Sequence, residues 1–173
     1  MTKTSDTAPS AAAFDLSAIQ MTAETPENLE ALNELHEIVF GPGRFAKTAF
    51  RLREGKRPRY DLSKLAWQGD VLAGAVRMTD IAIGAQPAIL LGPLCVRPDL
   101  KGLGLGRALM AAAMEASWAA GELAVLLVGD AAYYAPFGFE RAANIELPGP
   151  ADPARTLIAV NGGSVADWPG KVC

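Results

Sequence analysis

Three glycines stand close together where a helical pattern begins, in the segment RPDLKGLGLGRAL. They are Gly102, Gly104 and Gly106. Glycine destabilises helices and strands by about 0.5–1 kcal/mol relative to alanine, so this cluster indicates a need for bare backbone. A helix N-terminus carries unpaired N–H groups and a partial positive charge, and both attract anions. With Lys101 and Arg107 beside them, the glycines predict a site for a diphosphate.

The spacing of these glycines excludes the two commonest phosphate-binding fingerprints. The dinucleotide pattern G-x-G-x-x-G fails because its last position is Arg107 when counted from Gly102, and Leu109 when counted from Gly104. The P-loop pattern G-x-x-x-x-G-K-[ST] does not occur in the sequence. What remains is V-x-P-x-x-[basic]-x-x-G-x-G, formed by Val96, Pro98, Lys101, Gly104 and Gly106.

The hydrophobic pattern places this motif between a strand and a helix. The apolar run 88–96 predicts a buried strand, residues 104–120 carry an apolar helical face, and residues 123–128 predict another buried strand. Such a strand–helix–strand unit is expected to be parallel and right-handed. Gly92 and Pro93 interrupt the first strand. Because proline removes a ladder donor, they predict a bulge or an end of pairing.

Further strands and helices surround this unit. The predicted strands are 16–21, 62–68, 71–83, 156–160 and one that begins within 138–141, and the predicted helices are 26–39, 44–53 and a turn at 133–136. Gly69 and Asp70 predict a tight hairpin turn with glycine first. This order of elements predicts an α/β domain, a mixed sheet with helices on both faces.

A second segment, YYAPFGF at residues 133–139, follows the glycines after about 30 residues, which one helix and one strand fill. VRPDLKGLGLGRAL resembles the acetyl-CoA-binding motif of the GNAT N-acetyltransferase superfamily, written Q/R-x-x-G-x-G/A. YYAPFGF is similar to the (F/Y)-Y-x-x-x-G-F segment of the same family. GPGRFAKTAFRLREG resembles a bacterial, uncharacterised subgroup of it. The resemblance covers the chain from around Leu16 to Val160.

The resemblance implies a GNAT-like mixed, mostly antiparallel central sheet with a splayed parallel strand pair. It also implies acetyl-CoA as co-substrate and no metal. The cofactor-binding residues that it implies are Leu94, Cys95, Val96, Lys101, Gly102, Leu103, Gly104, Leu105, Gly106 and Arg107. The amides of Leu94 and Val96 would hold the acetyl carbonyl and the pantetheine arm, and those of residues 101–107 the pyrophosphate. Because the family usually has Gln or Arg at Lys101, a point contact to phosphate replaces a bidentate one.

The reaction that the resemblance implies is direct attack of a primary amine on the thioester. Tyr134 matches the general acid of the family and would give a proton to the leaving thiolate, with the adjacent Tyr133 as the alternative. An amine with a pKa of about 10.4 is protonated at neutral pH, so its proton needs an acceptor. The sequence leaves that acceptor open between water and four side chains: His36, Glu37, Asp80 and Asp130.

Composition limits the other function classes. The chain has 173 residues, half of them hydrophobic, which is enough for one sizeable core. A net charge of −3 and a pI near 5.2 argue against nucleic acid as a partner. Two cysteines supply neither a disulfide framework nor a metal site. Because no continuous apolar segment predicts a signal peptide or a membrane span, we expect a cytoplasmic protein without a membrane partner.

The expected organisation is a disordered leader at residues 1–14, an acetyltransferase domain at 15–161 and a C-terminal tail at 162–173. The leader is rich in Ser, Thr, Ala and Pro, a composition typical of disorder. The sequence leaves the oligomeric state open, a homodimer included.

The acceptor is the least specified part of the predicted reaction. We expect a primary amine of a small molecule or a peptide, bound by residues 40–59 and the C-terminal part. The basic run RLREGKRPR, residues 51–59, fits an acidic group on the acceptor and fits a solvated loop equally well. Two other functions compete. A non-catalytic acyl-CoA-binding or regulatory module is disfavoured by the presence of Tyr134, and a nucleotide-binding protein by the failed fingerprints.

Overall fold

A seven-stranded sheet with the order β1-β2-β3-β4-β5-β8-β6 forms the centre of the protein, in a computed structural model that describes residues 14–42 and 48–173. Its strands are β1 (Gln20–Ala23), β2 (Lys64–Gln68), β3 (Val71–Ile83), β4 (Gln86–Val96), β5 (Ala124–Val128), β6 (Glu140–Arg141) and β8 (Thr156–Val160). Two short strands, β7 (Ile145–Glu146) and β9 (Gly170–Lys171), pair in parallel outside it. The helices are α1 (Leu29–Phe40), α2 (Thr48–Arg51), α3 (Leu105–Ala119) and α4 (Ala131–Tyr134).

Strand direction in the main sheet matches the predicted fold. The pairs β1–β2, β2–β3, β3–β4, β5–β8 and β6–β8 are antiparallel, and β4–β5 is parallel. Helix α3 connects the two parallel strands, as the strand–helix–strand pattern predicts. The mixed, mostly antiparallel sheet with one parallel pair is therefore confirmed.

Strand β4 contains a bulge at Gly92 and Pro93. Its register against β3 changes between the partner pairs Val76↔Leu94 and Met78↔Leu91. One residue of β3, Arg77, thus lies opposite two residues of β4. The predicted bulge is confirmed. Gly92 has a φ of +123°, a value that residues other than glycine rarely adopt.

The parallel pairing of β4 with β5 is short. It comprises Ile89↔Val125 and Leu90↔Leu126. Beyond Leu90, β4 continues to pair with β3 up to Val96, while β5 continues to pair with β8 up to Val128. The predicted end of pairing is confirmed as well, and the two strands form the splayed pair.

Consecutive strand residues point to opposite faces of the sheet. Each face is covered by a helix. Gly74 and its partner Val96 face α3, and the neighbouring pair Ala75 and Cys95 lies in the cluster that packs against α1. The α3 cluster includes Leu105, Leu109, Met110, Ala113 and Met114, each at most 5% exposed. Of the predicted apolar face, Leu105, Leu109 and Ala113 are buried and Ala112 and Ala116 are half-buried, while Met110 and Met114 also belong to the buried face.

The predicted strand 16–21 begins later than expected, since β1 starts at Gln20. Residues 16–18 form a 3-10 turn before β1, because the Asp15 carboxylate accepts a hydrogen bond from the backbone N–H of Ser17 at 2.9 Å and caps that turn. The predicted helix 44–53 is helical at Thr48–Arg51. Residues 43–47 and the predicted leader, except Phe14, lie outside the described residues.

Residues 162–173, the predicted tail, pack onto the sheet. Trp168 and Val172 are 5% and 3% exposed and lie in a cluster with residues of β3, β4, β5 and β8. The backbone of Cys173 exchanges two hydrogen bonds with Ala82, at 3.0 and 3.1 Å.

We expect Gly74→Ala to lower the free energy of unfolding by about 1–3 kcal/mol, the usual range for overpacking a core. The added Cβ would lie 2.9 Å from Cδ1 of Leu109 and 3.0 Å from the carbonyl oxygen of Cys95, which belongs to the adjacent strand. Urea unfolding measures the effect. The control is Val71→Thr in the same strand, where the side chain is exposed and a change within about 0.5 kcal/mol is expected. Equal midpoints for the two variants would contradict the close approach of α3 to β3.

Candidate functional site

The three motif glycines serve two different purposes at the start of α3. Gly102 and Gly104 have φ values of +78° and +89°, in the left-handed region that favours glycine. Gly104 is the N-cap of α3. Gly106 lies in the first turn of the helix, where an added Cβ would be 2.8 Å from the hydroxyl of Tyr133. Two glycines therefore shape the turn, and the third leaves room for a tyrosine.

A cavity of about 430 Å³ opens at this helix N-terminus, and we call it the motif cavity. Eight of the ten residues predicted to bind the cofactor line it: Leu94, Cys95, Val96, Lys101, Gly102, Gly104, Gly106 and Arg107. The other two are Leu103, which is 45% exposed, and Leu105, which is buried in the core. The lining is completed by Leu100 and Tyr133. The end of β4 and the start of α3 thus face one concave surface.

Positive charge at the motif cavity has no acidic partner in the described residues. Neither Lys101 nor Arg107 forms an ion pair within 14–42 or 48–173. The Arg107 guanidinium lies 5.9 Å from the ring centre of Tyr133. With the N-terminus of α3, these two cations make the cavity suitable for an anion.

Tyr134 packs beside the end of β5. A Cβ at Gly129 would overlap Cε2 of Tyr134, so this glycine makes room for the ring. The ring also meets Phe139 edge-on, with 5.9 Å between ring centres. The neighbouring Tyr133 is oriented by Asp130, whose carboxylate accepts a hydrogen bond from its backbone N–H at 3.0 Å. Sequence reasoning missed Gly129, which follows β5 directly and could have been suspected from that place.

The environment of Tyr134 keeps its hydroxyl protonated. Burial raises the pKa of Tyr134 to about 12, and the nearby Tyr133 and Asp130 contribute in the same direction, while Arg155 opposes them. Burial also raises the pKa of Tyr133, with the charge of Arg107 opposing it. Both phenols therefore carry their protons at neutral pH and can donate them.

A second cavity of about 300 Å³ lies between α1, the segment around α2 and the strands β3 and β4, and we call it the basic cavity. Its lining residues are Asn33, His36, Phe50, Arg51, Arg53, Glu54, Lys56, Pro58, Arg77, Thr79 and Pro93. Pro93 lines this cavity and the next residue, Leu94, lines the motif cavity. The two cavities therefore lie beside each other at the β4 bulge.

The structure separates the four candidate bases. His36, which is 5% exposed, lines the basic cavity. Asp80 forms an ion pair with Arg59 at 3.0 Å, Asp130 caps α4, and Glu37 is exposed on α1. Of these four, His36 alone lines either cavity.

Cys95 behaves as a small hydrophobic residue. It is 3% exposed, and burial raises the pKa of its thiol to about 12, so it is not a thiolate at neutral pH. Among the described residues no group of three or more His, Cys, Asp or Glu side chains could hold a metal ion. In that same part of the chain, no helix is both long enough and apolar enough to cross a membrane.

Comparison with known proteins agrees with this geometry. Residues 64–141 match the family model described as "Acetyltransferase (GNAT) domain", a segment that includes both motifs. No curated protein sequence matches the chain.

Solved structures share the fold over most of the chain. The GNAT family N-acetyltransferase YhbS from Escherichia coli, in complex with CoA, is 24% identical with a TM-score of 0.73, and the match covers 89% of this chain and 88% of that one. A GNAT family acetyltransferase from Brucella melitensis, in complex with acetyl-CoA, is 21% identical with a TM-score of 0.70, covering 90% and 94%.

A more distant match is Naa50 from Arabidopsis thaliana in complex with the bisubstrate analogue CoA-Ac-MVNAL, at 16% identity and a TM-score of 0.58, covering 83% and 99%. Residues 64–141 match the GNAT acetyltransferase domain, and the chain shares the fold of GNAT structures.

Proposed function

We propose that this protein transfers the acetyl group of acetyl-CoA to a primary amine of a small molecule or peptide. The observation that carries the proposal is that consecutive residues of β4, Pro93 and Leu94, line the two cavities. The motif cavity fits an anionic cofactor, and the basic cavity approaches the same stretch of strand from the α1 side. A thioester held at this stretch would be open to an acceptor from the basic cavity.

Several features support acetyl-CoA as the donor. The parting of β4 from β5 after Leu90 leaves β4 without a partner on that side, where the amides of Leu94 and Val96 are proposed to bind the acyl end. Two structural neighbours were solved with CoA or acetyl-CoA. An amide aimed at the thioester oxygen would stabilise the oxyanion of the tetrahedral intermediate, an effect of about 3–4 kcal/mol per donor.

The proposed chemistry is a direct transfer. The amine nitrogen forms a bond to the acetyl carbon, the carbon–sulfur bond breaks, and CoA leaves as its thiolate. Tyr134 is proposed to give its proton to that sulfur, and its neutral state at pH 7 supports the role. His36 is the candidate side chain for accepting the ammonium proton, because it lines the basic cavity. The proposed compartment is the cytoplasm, consistent with two cysteines that form no disulfide.

Acetyl-CoA and CoA are expected to raise the melting temperature, while NAD and ATP are not. A ligand at 100 times its Kd adds about 2.7 kcal/mol of stability, which corresponds to several degrees for a domain of this size. Differential scanning fluorimetry with the four ligands measures this. Arg107→Gln is expected to reduce the shift, and Arg141→Gln, at an exposed position on β6, to leave it unchanged. A response to NAD or ATP without one to acetyl-CoA would exclude the proposed donor.

Tyr134→Phe is expected to lower kcat by about 10²–10⁴, the usual contribution of general acid–base catalysis. KM for acetyl-CoA is expected to change little, because the phenyl ring still fills the space beside Gly129. Steady-state CoA release with an amine panel measures both constants. Tyr133→Phe is the matched control, with kcat within a few-fold of wild type. The assignment would be wrong if the two variants lost activity equally.

The dependence of kcat/KM on pH is expected to rise between pH 7 and 10 without a descending limb. A pKa raised to about 12 keeps the Tyr134 proton in place through this range, while the acceptor amine loses its own proton as the pH rises. Initial rates in overlapping buffers test the profile. A descending limb with its midpoint below pH 10 would show that the acid is another group.

A further inference from the structure

Positive charge dominates the basic cavity. Its lining includes Arg51, Arg53, Lys56 and Arg77, against the single exposed carboxylate of Glu54. Arg77 is neutralised by Glu24, a side chain that is 2% exposed, through several hydrogen bonds that include Nε contacts of 3.1 Å to both carboxylate oxygens. Among the described lining residues, three cations remain after that pair is removed.

The other basic residues of the run 51–59 have different roles. The Arg59 side chain bonds to Asp61 at 2.8 Å, Asp80 at 3.0 Å and Glu122 at 2.7 Å, so it fastens the segment to β3 and to the end of α3. Arg57 is exposed and does not line the basic cavity.

Lys56 and Arg51 lie towards the outside of the cavity. Nζ of Lys56 donates to the carbonyl oxygen of Asp80 at 3.4 Å, and Arg51 is exposed. The run is therefore only partly a solvated loop, and Arg53 is the partly buried cation that it contributes to the cavity.

The Arg53 guanidinium lacks an anionic partner in the described part of the chain. Neither an ion pair nor a side-chain hydrogen bond joins it to any residue of 14–42 or 48–173, and its nearest aromatic contact is the Phe50 ring at 5.5 Å. Burial lowers its pKa to about 10, with the charge of Arg77 acting in the same direction, so it is still a cation at pH 7. A half-buried cation without a partner is costly, and an anion from solution would relieve that cost.

Arg53 lies beside Gly92, next to the β4 residues that line the two cavities. Its Nη1 atom is 3.3 Å from the place that a Cβ on Gly92 would occupy. Gly92 belongs to the β4 bulge, two residues before Leu94, whose amide is proposed to bind the acetyl group. An anion bound to Arg53 would therefore be close to the thioester.

We infer that the acceptor amine carries an anionic group, a carboxylate or a phosphate a few bonds from the amine, and that the Arg53 guanidinium binds it. This inference rests on the proposed function, since it names the substrate class of the same site. Arginine suits the task because its planar fork makes two parallel hydrogen bonds to either anion. Binding of this anion to Arg53 thus positions the amine at the thioester.

The test compares acceptors that differ only in the anion. The pairs are β-alanine and β-alaninamide, O-phosphoethanolamine and ethanolamine, and the C-terminally amidated dipeptides Ala-Asp-NH2 and Ala-Asn-NH2, which separate small-molecule from peptide sources. For wild type, kcat/KM from CoA release is expected to be at least about tenfold higher for an acidic member than for its neutral partner, as for a hydrogen bond to a charged group. A second readout is calorimetric binding of the same amines to the CoA-loaded protein, which does not require turnover.

Variants then assign the effect to Arg53. Arg53→Gln is expected to lower kcat/KM, or the binding constant, of the acidic member by about 10- to 100-fold and to leave the neutral partner unchanged. Arg53→Lys should give an intermediate loss, because it keeps the charge without the fork. Arg57→Gln, which removes an exposed arginine of the same run, is the matched control and should match wild type. Without ligand, Arg53→Gln should melt at the wild-type temperature or higher.

The outcomes separate this inference from the proposed function. Acetyl-CoA-dependent turnover of neutral and acidic amines at equal rates would overturn the inference and leave the acetyltransferase in place. An equal loss for both members of a pair in Arg53→Gln would assign Arg53 to the cofactor or the fold and also overturn it. If none of the amines turns over, equal binding of acidic and neutral members overturns the inference, and tighter binding of acidic ones that Arg53→Gln abolishes supports it. Absence of both CoA binding and CoA release would remove the proposed function itself.

Discussion

Strand β4 has two neighbours but can pair along its length with only one of them. It follows β3 throughout, with one bulge, and leaves β5 after Leu90. The cause is local, since Pro93 has no N–H to donate and Gly92 takes a φ of +123°. Were the sheet closed at this point, β5 would cover the edge that the proposed cofactor needs. The motif cavity lies along the part of β4 that runs beyond this parting.

The gap between β4 and β5 is stable because both faces of the rest of the sheet are packed against other parts of the chain. Helix α3 packs so closely on β3 that a methyl group at Gly74 would touch it. On the other face, Trp168 and Val172 of the C-terminal segment cover the strands that do pair. The polar groups freed by the splay are thus confined to one place, where a ligand can bind them.

The sequence could predict the elements next to the glycines because their signals are local. A strand, three glycines and an apolar helical face are consecutive, so the motif cavity follows from reading about 20 residues in order. Two motif residues do not line the cavity. Leu105 lies in the first turn of α3 and points into the core, and Leu103 is exposed.

The basic cavity could not be predicted in this way. Its walls come from α1, the segment around α2, β3 and β4, which are brought together only by the fold. A run of charges does not reveal which member meets a carboxylate 63 positions away, as Arg59 meets Glu122, and which meets none among the described residues, as Arg53. Gly129 is another example, because its role is to leave space for the ring of Tyr134.

The two halves of the candidate site, the motif cavity and the basic cavity, differ in what lines them. The motif cavity is lined by residues between 94 and 107 together with Tyr133, whereas much of the basic cavity is lined by side chains on a segment that Arg59 fastens in place. Substitutions at the second half can alter the charge and shape offered to an acceptor without moving the first. The architecture therefore separates the proposed cofactor half, which must stay constant, from the proposed acceptor half, which can diverge. This protein is thus a suitable scaffold for changing acceptor preference by replacing a few side chains between residues 50 and 56.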